Sequence, residues 1–138
     1  MRDQAVSVTV DSVIFYVEGN DKYVLLIQRK NDPFKSNWAL PGGFLEEDET
    51  LETGALRELK EETGMQLDSL NQFGVYGNPG RDPRGRIISV AFTGIVRSRE
   101  KLMAGDDAGE AEWFNIKDLP SLAFDHGEII KDGIDTLQ

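Results

Sequence analysis

The chain has 138 residues, 39% of them hydrophobic and 29% charged, with a formal net charge of −10 at pH 7. That size and mix predict one globular domain, expected to run from residue 1 to 138, and the acidity argues against passive binding to nucleic acid, which needs a basic footprint. Zero cysteines exclude disulfides, thiolate catalysis and a cysteine zinc site and fit a reducing cytoplasm, while no apolar run reaches the roughly 18 residues of a membrane helix and Met1-Arg2-Asp3-Gln4 lacks a signal-peptide core.

Residues 5–17 begin with alternation and are rich in β-branched and aromatic side chains, which predicts a strand. Glu18-Gly19-Asn20-Asp21-Lys22 supplies turn residues, and residues 23–28 form a nearly continuous apolar run. An antiparallel hairpin follows, with both faces of its second strand covered. Residues 31–37 read as a loop on their Pro and Asx content, and Trp38-Ala39-Leu40-Pro41-Gly42-Gly43-Phe44 leads out of it. Residues 50–63 place Leu51, Ala55, Leu56 and Leu59 at helical spacing, with Thr50 or Asp48 to cap the start and Gly64 to end the helix. Gly54 in mid-helix costs about 1 kcal/mol relative to Ala, and close packing against a neighbouring strand is the expected reason. Residues 70–76 and 87–96 are predicted strands, 104–109 a flexible loop, 112–116 a short strand and 124–137 a final helix around Ile129, Ile130 and Ile134. No repeat, linker or low-complexity tract interrupts this order. A mixed β-sheet flanked by helices is expected.

The helix over residues 50–63 carries Glu58, Glu61 and Glu62 at i, i+3 and i+4, offsets that share one face. Like charges so placed repel, by roughly a few tenths of a kcal/mol per close pair. Hard divalent cations want oxygen ligands, and Mg²⁺ typically takes one or two carboxylates plus substrate phosphates. The stripe therefore reads as a metal site for phosphate chemistry. A surface helix with a solvated acidic face, Arg57 pairing with Glu61, explains neither the flanking glycines nor the unrelieved acid stripe.

Gly43, five residues, Glu49, seven residues, then Arg57-Glu58-Leu59-Lys60-Glu61-Glu62-Thr63-Gly64-Met65 resembles the Nudix box, G-x5-E-x7-R-E-U-x-E-E-x-G-U with U apolar, at every specified position. The resemblance implies the α/β/α sandwich of the Nudix fold and hydrolysis of a nucleoside diphosphate linked to another group, with water and Mg²⁺ or Mn²⁺. Carried over by position, it implies that Glu58, Glu61 and Glu62 offer carboxylate oxygens to the metal, with the backbone carbonyl of Gly42 adding another. Glu58 or Glu61 would act as base, and Arg57 would orient Glu61 and pair with Glu49. Some family members recruit the base from a loop far downstream. Here that loop is residues 106–112, with Asp107, Glu110 and Glu112 as candidates and Glu110 preferred; each reads otherwise as an ordinary polar loop residue.

Outside the box, Arg81, Arg84 and Arg86 cluster in residues 80–90 of an otherwise acidic chain. Arginine suits bidentate contact with phosphate, the alternative being a solvated hairpin loop. This segment, with Leu122-Ala123-Phe124-Asp125-His126, resembles the ADP-ribose pyrophosphatase branch. That implies conversion of ADP-ribose to AMP and ribose 5-phosphate, a small nucleotide-sugar as the partner, and a homodimer in which one subunit completes the other's adenosine pocket. His126, the sole histidine, is expected to pack or cap at the helix start. Trp38, Phe44, Tyr16 and Tyr76 are rings for stacking adenine, though aromatics in and beside strands are more often core.

Two alternatives share the box. One is a nucleotide-pool cleaner acting on oxidised nucleoside triphosphates such as 8-oxo-dGTP. The other is a non-catalytic sensor of ADP-ribose-type ligands, as in transcriptional regulators that carry an extra C-terminal DNA-binding domain. This chain ends at Gln138, soon after the expected final helix, and its metal carboxylates are all present. RNA decapping is disfavoured by the charge and the lack of a basic accessory region.

Overall fold

A computed structural model describes residues 5–99 and 108–137. Strands β1 (Val6–Glu18) and β2 (Asp21–Arg29) form the expected antiparallel hairpin, with Phe15 opposite Val24 and Glu18 opposite Asp21. Two short strands follow, β3 (Trp38–Ala39) and β4 (Gly42–Phe44), then helix α1 (Leu51–Thr63), strands β5 (Asn71–Tyr76), β6 (Arg86–Val96) and β7 (Ala108–Asn115), and helix α2 (His126–Asp135).

The sheet is mixed, and it splits. β1 runs parallel to β6 from Val6–Arg86 to Tyr16–Val96, and β5 lies antiparallel on the far side of β6. Along its other edge β1 holds β2 only through Phe15 to Glu18; nearer its start, Thr9 to Asp11 pair with β4 instead. Having parted from β1, β2 takes β3 at Ile27 and Gln28, with β7 on its opposite edge. Residues 38–44 therefore bridge the gap, β3 on β2 and β4 on β1, and the gap opens as a cleft.

Alternation along β1 assigns its two faces. Val10 and Ile14 pack with Ala55 and Leu59 of α1 and with Val90 and Phe92 of β6. Val13 and Phe15 point the other way, onto Ile129 and Ile130 of α2. Helices on both faces make an α/β/α sandwich, and they explain why β1 and β2 read as nearly unbroken apolar runs.

Thr50 caps α1, its side chain accepting from Thr53 N at 3.1 Å, and Gly64 ends the helix in the left-handed region at φ +79°. A Cβ on Gly54 would lie 2.7 Å from Leu45 Cδ1 and 3.1 Å from Glu49 Oε1. The expected close packing is there, but chiefly against the loop before the helix rather than a strand. The starts of β7 and of the last helix differ from expectation. β7 already includes Ala108 and Gly109, expected in a loop, because its pairing with β2 continues past Gln28 to Arg29 through a bulge. Residues 104–107 lie outside the described part. Helix α2 starts at His126 rather than residue 124, since Phe124 has φ +52°, outside the right-handed helical region. No helix among the described residues is long and apolar enough to cross a membrane.

Candidate active site

Helix α1 and the loop before it meet at Arg57. Its Nε donates to Glu49 Oε2 at 2.6 Å and its Nη2 to Glu49 Oε1 at 3.0 Å, a two-pronged grip. Nη1 reaches Glu58 Oε1 at 2.8 Å and Glu61 Oε2 at 3.1 Å, and Nη2 also reaches the Phe44 carbonyl at 3.2 Å. Glu49 Oε1 accepts from Glu46 N as well, at 2.9 Å. The hydrogen bonds from Arg57 and then from the Glu46 peptide hold the Glu49 carboxyl below the usual carboxylate range. One guanidinium thereby fixes the spacing of the box and engages three of its acids.

Glu62 lies deeper, only 7% exposed, and its Oε1 accepts from the Gly42 N–H at 2.9 Å. Burial first, and the adjacent Glu58 carboxylate second, push its carboxyl well above the ordinary range. The glycines ahead of the helix make this approach possible. A Cβ at position 42 would lie 2.3 Å from Val10 O and from Asp11 Oδ1; at 43 it would lie 2.7 Å from the Glu58 carboxylate. Two abutting carboxylates beside the Gly42 peptide are a hard-oxygen donor set of the kind Mg²⁺ takes alongside substrate phosphates. Among the described residues no three acidic or histidine side chains converge, and Glu61, with its side chain 58% exposed, turns outward to Arg57.

The cleft measures about 460 Å³, and Arg57, Glu58 and Glu62 line it together with Arg29, Arg81 and Arg84. Arg81 is already engaged: its Nε and Nη2 bind both oxygens of Asp125 at 2.8 and 2.6 Å, and its side chain is 5% exposed. Arg84 is bound by Asp82 through Nε and Nη2 at 3.0 and 2.7 Å, and lies 4.9 Å from the centre of the Phe44 ring. Arg86 is outside the cleft lining, donating to the Gly77 carbonyl at 2.6 Å. Glu110 is likewise outside it, exposed on β7 opposite Gln28; Glu112 is exposed opposite Leu26, and Asp107 lies outside the described residues.

His126 is buried, and its Nδ1 accepts from the Leu40 N–H at 3.0 Å. Its remaining nitrogen faces Asp11 Oδ1 at 3.8 Å. Desolvation holds the imidazole below its usual pKa, with Asp11 opposing, so the expected structural role fits: a neutral ring tying α2 to the 38–44 bridge. Of the four aromatics considered for stacking, with none of them singled out, Phe44 alone lines the cleft. Trp38 packs against Phe114, Tyr16 against Tyr23 and Trp113, and Tyr76 donates to Asp132 at 2.7 Å.

Sequence reasoning passed over Asp11, Arg29 and Asp82, all in the cleft wall. Asp11 is 5% exposed and accepts from Ser89 Oγ. An acid inside an apolar strand run is a legible signal, since a buried carboxylate needs partners. Arg29 closes β2 and carries no comparable signal, because a charge at a strand end reads as surface.

Residues 8–133 match the NUDIX domain. The chain belongs to the Nudix hydrolase family. Within it, the chain is 52% identical over 126 residues to the ADP-ribose pyrophosphatase of Methanocaldococcus jannaschii, covering 91% of this chain and 72% of that protein. It is 39% identical over 127 residues to the ADPR responsive transcriptional repressor NtrR of Acinetobacter baylyi, covering 89% of this chain and 51% of the repressor. Among solved structures, the NUDIX domain of Shewanella oneidensis NrtR complexed with ADP ribose matches with a TM-score of 0.92 and 34% identity, over 99% of this chain and 91% of that one.

Proposed function

We propose that the chain hydrolyses the pyrophosphate bond of ADP-ribose, giving AMP and ribose 5-phosphate, with Mg²⁺ as cofactor and Mn²⁺ as a substitute. The observation that carries this reading is a single cleft in which Glu58 and Glu62 share the lining with Arg29, Arg81 and Arg84. The similarity to an ADP-ribose pyrophosphatase supplies the substrate. When bound, the cation neutralises diphosphate charge and lowers the pKa of the attacking water.

Each residue of the chain then has a task. Glu62, fixed by the Gly42 N–H, and Glu58, fixed by Arg57, would hold the cation, the Gly42 carbonyl would add an oxygen, and Glu61 stands next on the same helix face. Glu58 lines the cleft and Glu61 does not, so Glu58 is the better placed of the two to accept the proton of the water that attacks phosphorus. The P–O–P bond breaks, and the phosphate on the departing side leaves with its nucleoside or ribose. Glu49 and Arg57 act through the acids they orient.

The test is chromatography of phosphate products from the purified protein with Mg²⁺, offered ADP-ribose, NADH, diadenosine polyphosphates or 8-oxo-dGTP. AMP and ribose 5-phosphate should form from ADP-ribose, and EDTA should stop the reaction. Preference for the triphosphate would instead favour a pool-cleaning pyrophosphohydrolase. The similarity to NtrR and to the ADP-ribose-bound NrtR domain supports a second reading, a sensor of ADP-ribose-type ligands. Saturable ADP-ribose binding with no turnover in any divalent metal would select it.

A further inference from the structure

Asp11 of β1 and His126 at the start of α2 both line the cleft, both are 5% exposed, and the scheme above uses neither. Each has one polar atom committed and one left over. Asp11 Oδ2 accepts from Ser89 Oγ of β6, and His126 Nδ1 accepts from the Leu40 N–H at 3.0 Å. Burial holds the imidazole below its usual pKa, so at about pH 7 the ring is neutral and, with Nδ1 an acceptor, its proton sits on Nε2. That nitrogen stands 3.8 Å from Asp11 Oδ1, too far for a direct hydrogen bond. Among the described residues neither of these two atoms has a hydrogen-bonding partner of its own. Gly42 leaves the space against Oδ1 clear, since a Cβ at that position would lie 2.3 Å from this oxygen. The pair is selective by its polarity. An anion would meet the carboxyl oxygen of Asp11, and a cation would meet the Nε2–H of His126. A group that gives one hydrogen bond and takes another through a single atom suits both, and a hydroxyl is such a group. Its oxygen, at about 2.8 Å from each atom, spans the 3.8 Å between them.

We propose that Asp11 Oδ1 and His126 Nε2 together read one sugar hydroxyl of the bound nucleotide-sugar, Asp11 accepting its hydrogen bond and His126 donating one to its oxygen. Asp11 pairs with Gly42 across β1 and β4, beside the peptide that holds Glu62, so the hydroxyl belongs to a ribose next to the diphosphate. Ser89 and the Leu40 peptide are positioning groups: they fix the carboxyl and the ring so that the two remaining atoms converge. A ligand without that hydroxyl leaves a buried donor and a buried acceptor unpaired, which is the physical basis of the selection. The subsite deepens the pyrophosphatase reading and rests on it only for the identity of the ligand.

The experiment is calorimetric titration of the full chain, in EDTA so that no turnover contributes, with ADP-ribose and with analogues lacking a single hydroxyl of either ribose. In wild type one analogue should bind about ten-fold or more weakly than ADP-ribose, and the ring it is altered in identifies the sugar that is read. Asp11→Asn and His126→Asn should each cut that gap to about two-fold or less, while the analogue itself binds near its wild-type affinity. Asparagine at position 126 still offers an oxygen to the Leu40 N–H and removes only the donor on the far side. A merely structural role would therefore leave the gap intact. Melting curves identify a variant that fails to fold; if either does, the other decides by the same comparison. No saturable binding of ADP-ribose, equal affinity of wild type for every ligand of the series, or a gap that the folded variants retain overturns the subsite. Turnover of ADP-ribose with Mg²⁺ is followed in parallel. Turnover with no such gap removes the subsite and leaves the enzyme reading, whereas a gap without turnover does the reverse.

Discussion

Glu62 and Glu58 face each other in a partly buried place, Glu62 accepting from the Gly42 N–H and Glu58 from Arg57. Such an arrangement is unfavourable for two anions and favourable for a cation between them. Glu62→Gln keeps the shape and still accepts from Gly42, so the variant should melt near wild type while kcat with Mg²⁺ falls by about a hundred-fold or more. Near-native turnover would sink the metal assignment. His126 makes a pH prediction of definite sign. Its folded pKa is depressed by burial, so below the unfolded value near 6.5 the unfolded chain binds more protons than the folded one. Stability from this group is present above about pH 6.5 and is lost as pH falls through that value. The drop in melting temperature from pH 7 to pH 5 should therefore be smaller in His126→Gln than in wild type; equal drops would show that the ring does not titrate on unfolding.

At the scale of elements, the decisive piece is the 38–44 bridge. β4 pairs with β1 through three residues, Thr9 to Phe44, Val10 to Gly43 and Asp11 to Gly42, yet it positions the peptide that holds Glu62. A methyl at Gly42 would meet backbone, Val10 O, at 2.3 Å, and a carbonyl fixed in a strand cannot swing away as a side-chain end can. Gly42→Ala should thus cost about 2 kcal/mol or more in urea unfolding and reduce turnover in whatever fraction still folds. Stability within about 0.5 kcal/mol of wild type would show that β4 can lift off β1 at little cost. Helix α1, by contrast, was legible almost to the residue. Its cap, its apolar spacing and its terminal glycine are local signals that act within one or two turns.

Across the whole molecule, Arg81 joins segments that the sequence keeps apart. Its pairing with Asp125 ties the segment before β6 to the start of α2. Removing one partner leaves the other charge partly buried and alone, so Arg81→Ala should destabilise the fold by about 3 kcal/mol in urea unfolding. The interior position of this arginine separates it from Arg84, whose ion pair is more exposed. Little change in stability together with a raised KM would instead make Arg81 a substrate contact, as its sequence neighbourhood suggested.

The long elements and the spacing of the box were legible in the sequence alone, whereas the short strands β3 and β4 were not. Alternation, helical spacing and the strict order from Gly43 to Met65 are local patterns, and local patterns survive without knowledge of the fold. Even the mixed sheet with helices on both faces followed from the order of strands and the unbroken apolar runs of β1 and β2. Which charges meet depends on the closed fold. Asp11, Arg29 and Phe124 come together from β1, β2 and the turn before α2, positions far apart in the chain, because the sheet splits between β1 and β2. Three neighbouring arginines likewise took separate parts, Arg81 in an ion pair, Arg84 in the cleft and Arg86 on a backbone carbonyl outside it. Composition marks where charge accumulates, but the partners of each charge depend on distances through space, which are fixed only when the layers close.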